Sequence, residues 1–280
     1  MRALQADVVD AVWQAVEALI PDPPDTHPLG CHRPRVADRI CFRGILIRLV
    51  TGCSWTTAEA LLDHAVSDTT LRARRNEWIA AGVFTTLVND ALDAYDRIIG
   101  LDPSDVALDS SQHKAPCGGP GTGSNRVDRG RSGWKWSLAT DRHGIPLGWV
   151  NAAANRHDSK LVVDTLTHIA ERGLLIEIDT LHMDRGYDYR FVRDDCTAMG
   201  IAHIDMPRKR RSGQGRRRNH APIGQRWTVE RTHSWLSNYG QLRRNTDRQP
   251  EHREAQLALA IALILTIKLI DWRNRWSPIR

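Results

Sequence analysis

Three carboxylates stand where an acid is costly unless it has work to do. Asp109 closes the apolar run Val106-Ala107-Leu108, Asp184 closes Leu181-His182-Met183 and precedes Arg185-Gly186-Tyr187, and Glu230 follows Trp227-Thr228-Val229. A carboxylate at the end of a central strand points out of the sheet edge, and adjacent strands would bring two of them together. Converging carboxylates repel, so one must keep its proton. A hard divalent cation removes that cost, because Mg²⁺ takes oxygen ligands and keeps open water positions. Two such ions about 4 Å apart clamp the attacking and leaving oxygens of an in-line phosphoryl displacement. Each acid alone also has a plainer reading, as a turn cap or an arginine partner, so the chemistry depends on their being gathered.

The elements that must gather them are legible as periodic runs. Val106 to Asp109, Trp134 to Asp141, Ile145 to Asn151, Leu174 to Asp184 in one or two pieces, and Ile201 to Met206 are short apolar or alternating runs bounded by Gly, Pro and Asp, hence strands. Helical stretches lie between and after them, at Ser159 to Arg172, Tyr189 to Met199, Ile223 to Tyr239 and Glu251 to Trp272. This succession implies a mixed sheet flanked by helices. Cys117 to Gly133 holds six glycines but no G-K-[ST] ending, so it reads as a flexible connection and not as a nucleotide cradle.

The first hundred residues are helical in pattern. Val8, Val9, Val12, Trp13, Val16, Leu19 and Ile20 recur at helical spacing, a second helix runs from about Val36 to Val50, and a third begins near Thr56 or Thr57. A break at Ala65-Val66 leads to Ser67, a good N-cap, and to a helix carrying Arg72, Arg74 and Arg75. Two short helices, a tight turn and a basic second helix outline a helix-turn-helix, whose second helix lies in a DNA groove; a solvated arginine face is the alternative. The expected domains are residues 1–100, helical and DNA-binding, and 101–280, catalytic.

Charge points to the same class of partner. The 280 residues carry 41% apolar and 26% charged residues, ordinary globular composition, with a net charge of +6. Residues 185–253 hold 16 Lys/Arg against 7 Asp/Glu, so the basic excess is confined to one quarter of the chain. A polyanion belongs there. Arg208-Lys209-Arg210-Arg211 and Arg216-Arg217-Arg218 form a cationic loop just before the Glu230 helix, and affinity from such a loop falls steeply with salt. Trp134, Trp136, Trp149, Trp227 and Trp235 fall on strands or helices and read as core and not as base-stacking platforms. Cys31, Cys41, Cys53, Cys117 and Cys196 are scattered without zinc spacing, which suits inert thiols in a reducing compartment. No secretory signal is visible, and the run Ala255 to Ile267 is shorter than the roughly 20 residues that cross a bilayer, so a cytoplasmic protein with no membrane partner is expected.

Several strings in series carry a resemblance. Leu108-Asp109-Ser110-Ser111, Val127-Asp128-Arg129-Gly130 with Gly133-Trp134-Lys135, and Asp141-Arg142-His143-Gly144-Ile145-Pro146-Leu147 come first in order. Ala152 to Ser159, Met183-Asp184-Arg185-Gly186-Tyr187-Asp188 and Arg226 to Leu236 follow. Together they closely resemble the DDE transposases of bacterial insertion sequences, in the branch named for insertion sequence five. Arg39 to Trp55 resembles the helical domain those enzymes carry in front, and the similarity runs from about residue 10 to 270.

The resemblance implies an α+β or α/β chain, with an all-helical domain followed by a ribonuclease-H-like mixed sheet. Asp109, Asp184 and Glu230 match the family's acidic triad, which would bind two Mg²⁺ or Mn²⁺ ions. Arg226 matches the arginine of its R-x-x-x-E signature and is a candidate phosphate contact. The family often has a Tyr ahead of that arginine and a basic residue seven positions after the glutamate; Ile223 and Ser237 stand there, with Arg243 and Arg244 as the next basic residues. The implied activity is cleavage and strand transfer at insertion-sequence ends, by at least a dimer bound to terminal inverted repeats and target DNA, at the bacterial nucleoid. A nuclease that cuts without joining, and a non-catalytic DNA-binding descendant of a transposase, stay open as alternatives.

Overall fold

A computed structural model describes residues 2–22, 35–207 and 225–276. Helices α1 (Ala6–Glu17), α2 (Asp38–Thr51), α3 (Trp55–Ala60), α4 (Asp68–Ala80) and α5 (Val83–Ile98) come first. Strands β1 (Asp105–Lys114), β2 (Gly123–Asn125), β3 (Arg131–Thr140) and β4 (Pro146–Ala153) follow. Then come α6 (Val162–Ala170), β5 (Thr180–His182), α7 (Arg190–Ala198), β6 (His203–Asp205), α8 (Trp227–Ser237), α9 (Gly240–Arg243) and α10 (Pro250–Trp276).

The chain divides into two units, Met1–Ile99 with Leu236–Arg280, and Gly100–Trp235. Residues 236–280, expected in the catalytic domain, therefore belong to the helical unit. The reason is apolar area. Leu257 and the whole of Leu259 to Leu265 are at most 7% exposed on α10, so this helix is apolar all round and needs neighbours on every side. It packs on α1, α4, α5 and α9. By length and hydropathy α10 would also pass for a membrane span, but 61% of its most apolar window is buried in the fold, as in a core helix.

Local signals set the other helical boundaries. Gly52 ends α2 with φ +76°, its N–H bonding Arg48 O at 2.9 Å. Ser54 and Ser67 cap α3 and α4, accepting from the N–H groups of Thr57 and Thr70. Gly240 lets the start of α9 press on the end of α2, since a Cβ there would lie 2.5 Å from Gly52 N and Thr51 O.

In the second unit the sheet order is β2-β3-β1-β5-β6, with β4 also paired to β3. The first three long strands are antiparallel, and β5 and β6 run parallel to β1. This is a mixed sheet flanked by helices, as expected. Strand alternation divides its residues between two faces. Val106 and Leu108 join Leu181, Met183, Leu166, Ile169, Val192 and Cys196 in the core beneath α6 and α7. The opposite parity puts Ala107, Asp109 and His113 on the face that carries Trp134, Trp136 and Leu138, opposite them on β3.

Three expectations change here. β1 does not stop at Asp109 but runs to Lys114, because antiparallel pairing with β3 continues through Lys114↔Gly133 despite the polar sequence. Within Leu174 to Asp184 only Thr180–His182 is strand; Leu175–Glu177 forms a 3₁₀ turn after Gly173 (φ +76°), with Leu174 and Leu175 packed on the core. The glycine-rich segment contains β2, whose Gly133 partner tolerates no Cβ, 2.7 Å from His113 O.

Candidate active site

Asp109 and Asp184 are brought together by strand register. Parallel pairing of β1 with β5 reaches Ala107↔His182, and two residues further along each chain stand Asp109 and Asp184. His182 laces this edge, with Nε2 2.8 Å from Asp105 Oδ1 and Nδ1 2.9 Å from Asp205 Oδ2. Beyond His182 the chain leaves the sheet. Asp184 Oδ1 accepts the N–H of Gly186 at 2.5 Å, and the turn buries Tyr187, whose hydroxyl lies 3.1 Å from Ser110 Oγ.

Burial dominates the electrostatics of Asp109. Burial pushes the Asp109 carboxyl up to about 6; the charges of Asp184 and Asp158 also raise it, against the Ser110 N–H and Arg226, which lower it. Asp158 itself accepts from Lys135 Nζ at 2.6 Å, and that lysine is 1% exposed and also donates to Arg156 O at 2.7 Å. Burial also drives the Tyr187 hydroxyl well above its ordinary range.

Helix α8 supplies the third acid. Thr232 Oγ1 donates to Gly144 O at 2.6 Å, Thr228 lies against Thr140, and Arg231 donates to His143 O, so α8 is pinned to β3 and to the β3–β4 turn. Arg231 is also held between the rings of Trp227 and Trp235, at 4.4 and 4.8 Å. Arg226, Glu230 and His233 then share one helical face. Glu230, a little over half exposed, lies 3.2 Å from Arg226 Nη2 and is not gathered with the two aspartates. Among the described residues no three His, Cys, Asp or Glu side chains are close enough to hold a metal together.

His233 carries no site signature in the sequence, yet it meets Asp109 from α8. Its Nδ1 accepts from Trp136 Nε1 at 3.0 Å, and burial holds its pKa down at about 4, so the neutral ring carries its proton on Nε2. That nitrogen lies 3.9 Å from Asp109 Oδ2. Behind it, His113 stacks on Trp136 with centroids 3.7 Å apart and is itself held to about 3 by burial. The available signal was spacing, since His233 follows Glu230 by one helical turn.

The basic residues fall into three groups. Arg74 and Arg75 are buried, at 5% and 6% exposure, with Arg74 paired to Asp38 and Arg75 donating to Asp247 at 2.8 Å. They do not form a DNA-facing row with Arg72, which is exposed and pairs with Asp68 at 2.6 Å. Helical periodicity puts 74 and 75 on the inward side beside Leu71 and Trp78, where carboxylates meet them. Arg243 and Arg244 are exposed. Arg208, Lys209, Arg210, Arg211, Arg216, Arg217, Arg218 and Ile223 lie outside the described residues. Of the tryptophans, Trp134, Trp136 and Trp149 are core, whereas Trp227 is 45% exposed, stacked on Arg231 at the surface.

A mixed sheet carries two acids near its parallel edge and helix α8 carries a third, and comparison with known proteins gives the family. The family model described as "Transposase DDE domain" matches residues 100–266, and the one described as "Putative transposase of IS4/5 family" matches residues 8–88. The chain belongs to the DDE transposase family. It is 34% identical over 153 residues to the "Putative transposase for insertion sequence element IS402" of Burkholderia cepacia, covering 52% of this chain and 69% of that protein. A second Burkholderia cepacia protein, "Insertion element IS402 uncharacterized 16.2 kDa protein", is 32% identical over 106 residues, covering 38% of this chain and 71% of its own. Among solved structures, the "Mos1 transposase paired-end complex with left transposon end" aligns over 89% of this chain and 82% of its own, at 11% identity and a TM-score of 0.26, too slight a likeness to carry weight.

Proposed function

We propose that Asp109, Asp184 and Glu230 are the catalytic triad of this transposase and the ligands of divalent cations, two Mg²⁺ or Mn²⁺ ions. The observation that supports this is the register of β1 and β5, whose last pair Ala107↔His182 stands two residues before Asp109 and Asp184, together with a buried Asp109 carboxyl that the charge of Asp184 helps to raise. Such a pair fits a hard cation. Glu230 fits once it leaves Arg226, an exposed helix-face pair of the kind worth only about 0.3–0.5 kcal/mol. When bound, the cations would supply charge for a water attacking phosphorus and for the departing 3′ oxygen.

The chain's own residues do the positioning. Asp109 is oriented from β1 with the Nε2–H side of His233 facing it, Asp184 is fixed by the Gly186 N–H, and Arg226, released from Glu230, is placed to meet a phosphate of the scissile strand. Hydrolysis breaks the P–O3′ bond at the element's end, and the freed 3′-hydroxyl then attacks a target phosphodiester, displacing its 3′ oxygen. The substrate is double-stranded DNA, terminal inverted repeat and target. Joining two ends to one target calls for at least two copies on DNA, acting at the nucleoid in the bacterial cytoplasm. Arg243, Arg244 and the basic residues 208–218 would add backbone contacts.

The test is product analysis. Purified protein with a terminal-repeat duplex, a target plasmid and Mg²⁺ should yield both a free 3′-hydroxyl at the element end and joined products. Cleavage without joining would leave a nuclease, and binding without either a decayed transposase.

A further inference from the structure

We propose that the helical unit carries its own DNA-phosphate site, an arginine pocket built from α2, α4 and the segment between α9 and α10. The proposal rests on the reading of the chain as a DNA transposase and concerns residues other than the acidic triad. The pocket is an open cavity of about 510 Å³ lined by Arg48, Arg72, Arg75, Arg244, Arg248 and Asp247. Five guanidinium groups thus face one carboxylate, and Asp68, the partner of Arg72, is the only further acid hydrogen-bonded to any of them among the described residues. Positive charge in excess of its counter-ions, collected in a concavity, is an anion site.

The inner wall is built for a fixed geometry. Two guanidiniums pack against Trp55, with Arg48 Cζ 4.4 Å and Arg75 Cζ 5.0 Å from its ring centroid. Arg75 donates to Asp247 Oδ1 at 2.8 Å, and Arg48 donates to Thr246 Oγ1 at 2.9 Å. Asp247 is itself held by Gln256 Nε2 at 2.5 Å and donates its N–H to Asn245 Oδ1. One carboxylate is therefore shared by two buried arginines. Arg48 is 4% exposed, yet its Nε makes no hydrogen bond among the described residues; its Nη1, 3.2 Å from Asp247 Oδ2, is outside bonding geometry. A buried charged donor without an acceptor is unfavourable, and an oxyanion relieves it.

The chemistry favours phosphate over base. The planar fork of Arg matches two phosphate oxygens. Trp55 is only 7% exposed, so it offers no surface on which a base stacks. Arg72, Arg244 and Arg248 are exposed at the rim, where they would reach the flanking phosphates. Such a site positions DNA without reading its sequence.

The experiment measures binding of a labelled 30-bp random-sequence duplex to the full chain in EDTA, for wild type, for R72A/R244A/R248A, and for R39A/R43A/R97A, which removes three exposed arginines outside the pocket. The pocket variant should bind at least tenfold more weakly than the control, with its log K against log salt slope reduced by about 2 to 3, roughly 0.9 per lost phosphate contact. Equal affinity in the two variants would overturn the proposal. Duplexes with 5′-phosphate and 5′-hydroxyl ends separate the sources: equal binding assigns a backbone phosphodiester, preference for the phosphorylated end a terminal phosphate. If wild type bound no duplex, the transposase reading would fail, and the pocket would be decided by sodium phosphate against sodium chloride at matched ionic strength. A melting-temperature rise in phosphate, seen in wild type and absent in R72A/R244A/R248A, supports it; no rise in wild type overturns it.

Discussion

Glu230 Oε1 lies 3.2 Å from Arg226 Nη2, so the proposed third acid is engaged by its own helix and is not gathered with the two aspartates. The pair joins residues four apart on an exposed face and contributes little to stability. Arg226→Ala should therefore cost about 0.5 kcal/mol or less in a chemical melt. Its effect on DNA cleavage should be at least tenfold, restored in part by Lys, because the guanidinium is wanted by phosphate. Unchanged cleavage would confine Arg226 to the helix pair.

The pH dependence of the metal-free protein has opposing contributions whose signs are fixed by burial. Asp109 is raised from 3.8 to about 6, so its share of stability is fully present below about pH 4 and lost as pH rises through 6. Asp109→Asn should then stabilise the protein in EDTA at pH 7.5, by about 2 kcal/mol, and have little effect at pH 4. His113 and His233 are lowered from 6.5 to about 3 and about 4, so theirs is present above 6.5 and lost as pH falls. Two histidines outweigh one acid, and the wild type should be less stable at pH 4.5 than at pH 7. Denaturant melts across this range check both signs.

The Trp136 indole fixes the tautomer of His233. Trp136→Phe keeps most of the buried ring but removes the donor, so His233 should populate the Nδ1–H form and its Nε2 should cease to present a proton to Asp109. Nitrogen NMR shifts of His233 read the tautomer directly. Cleavage should fall through kcat with KM for DNA little changed, a split that a simple packing defect would not give.

One of the contacts that aim helix α8 is a buried hydroxyl. Thr232 Oγ1 serves both Gly144 O at 2.6 Å and Thr228 O at 3.1 Å. Thr232→Val keeps the shape and leaves the Gly144 carbonyl without its donor, at a cost of about 1–3 kcal/mol. Thermal melting measures the loss. Cleavage should drop further than stability alone explains, since Glu230 and His233 ride on this helix.

Much of this proposed centre is legible in the sequence. The runs at Val106, Trp134 and Ile145 are strands because alternation survives in them, and Ser67 announces α4 because an N-cap works locally. What local pattern does not carry is pairing. The extension of β1 through Ser110 to Lys114 depends on β3 lying alongside, and the gathering of Asp109 with Asp184 depends on β5 register. Arg74 and Arg75 looked like a basic face because the carboxylates that bury them, Asp38 and Asp247, stand 36 and 172 residues away. α10 reads as a long apolar helix in the sequence, but only its neighbours α1 and α5 show that it belongs to the helical unit.

The most direct measurement compares Asp109→Asn, Asp184→Asn and Glu230→Gln with wild type on a terminal-repeat duplex in Mg²⁺, following cleavage and duplex affinity in the same samples. Each substitution should abolish cleavage to at least a thousandfold below wild type while the Kd for DNA stays within about threefold. Cleavage at the wild-type rate by any one of the three would contradict the assignment of that acid and, for Asp109 or Asp184, of the centre itself.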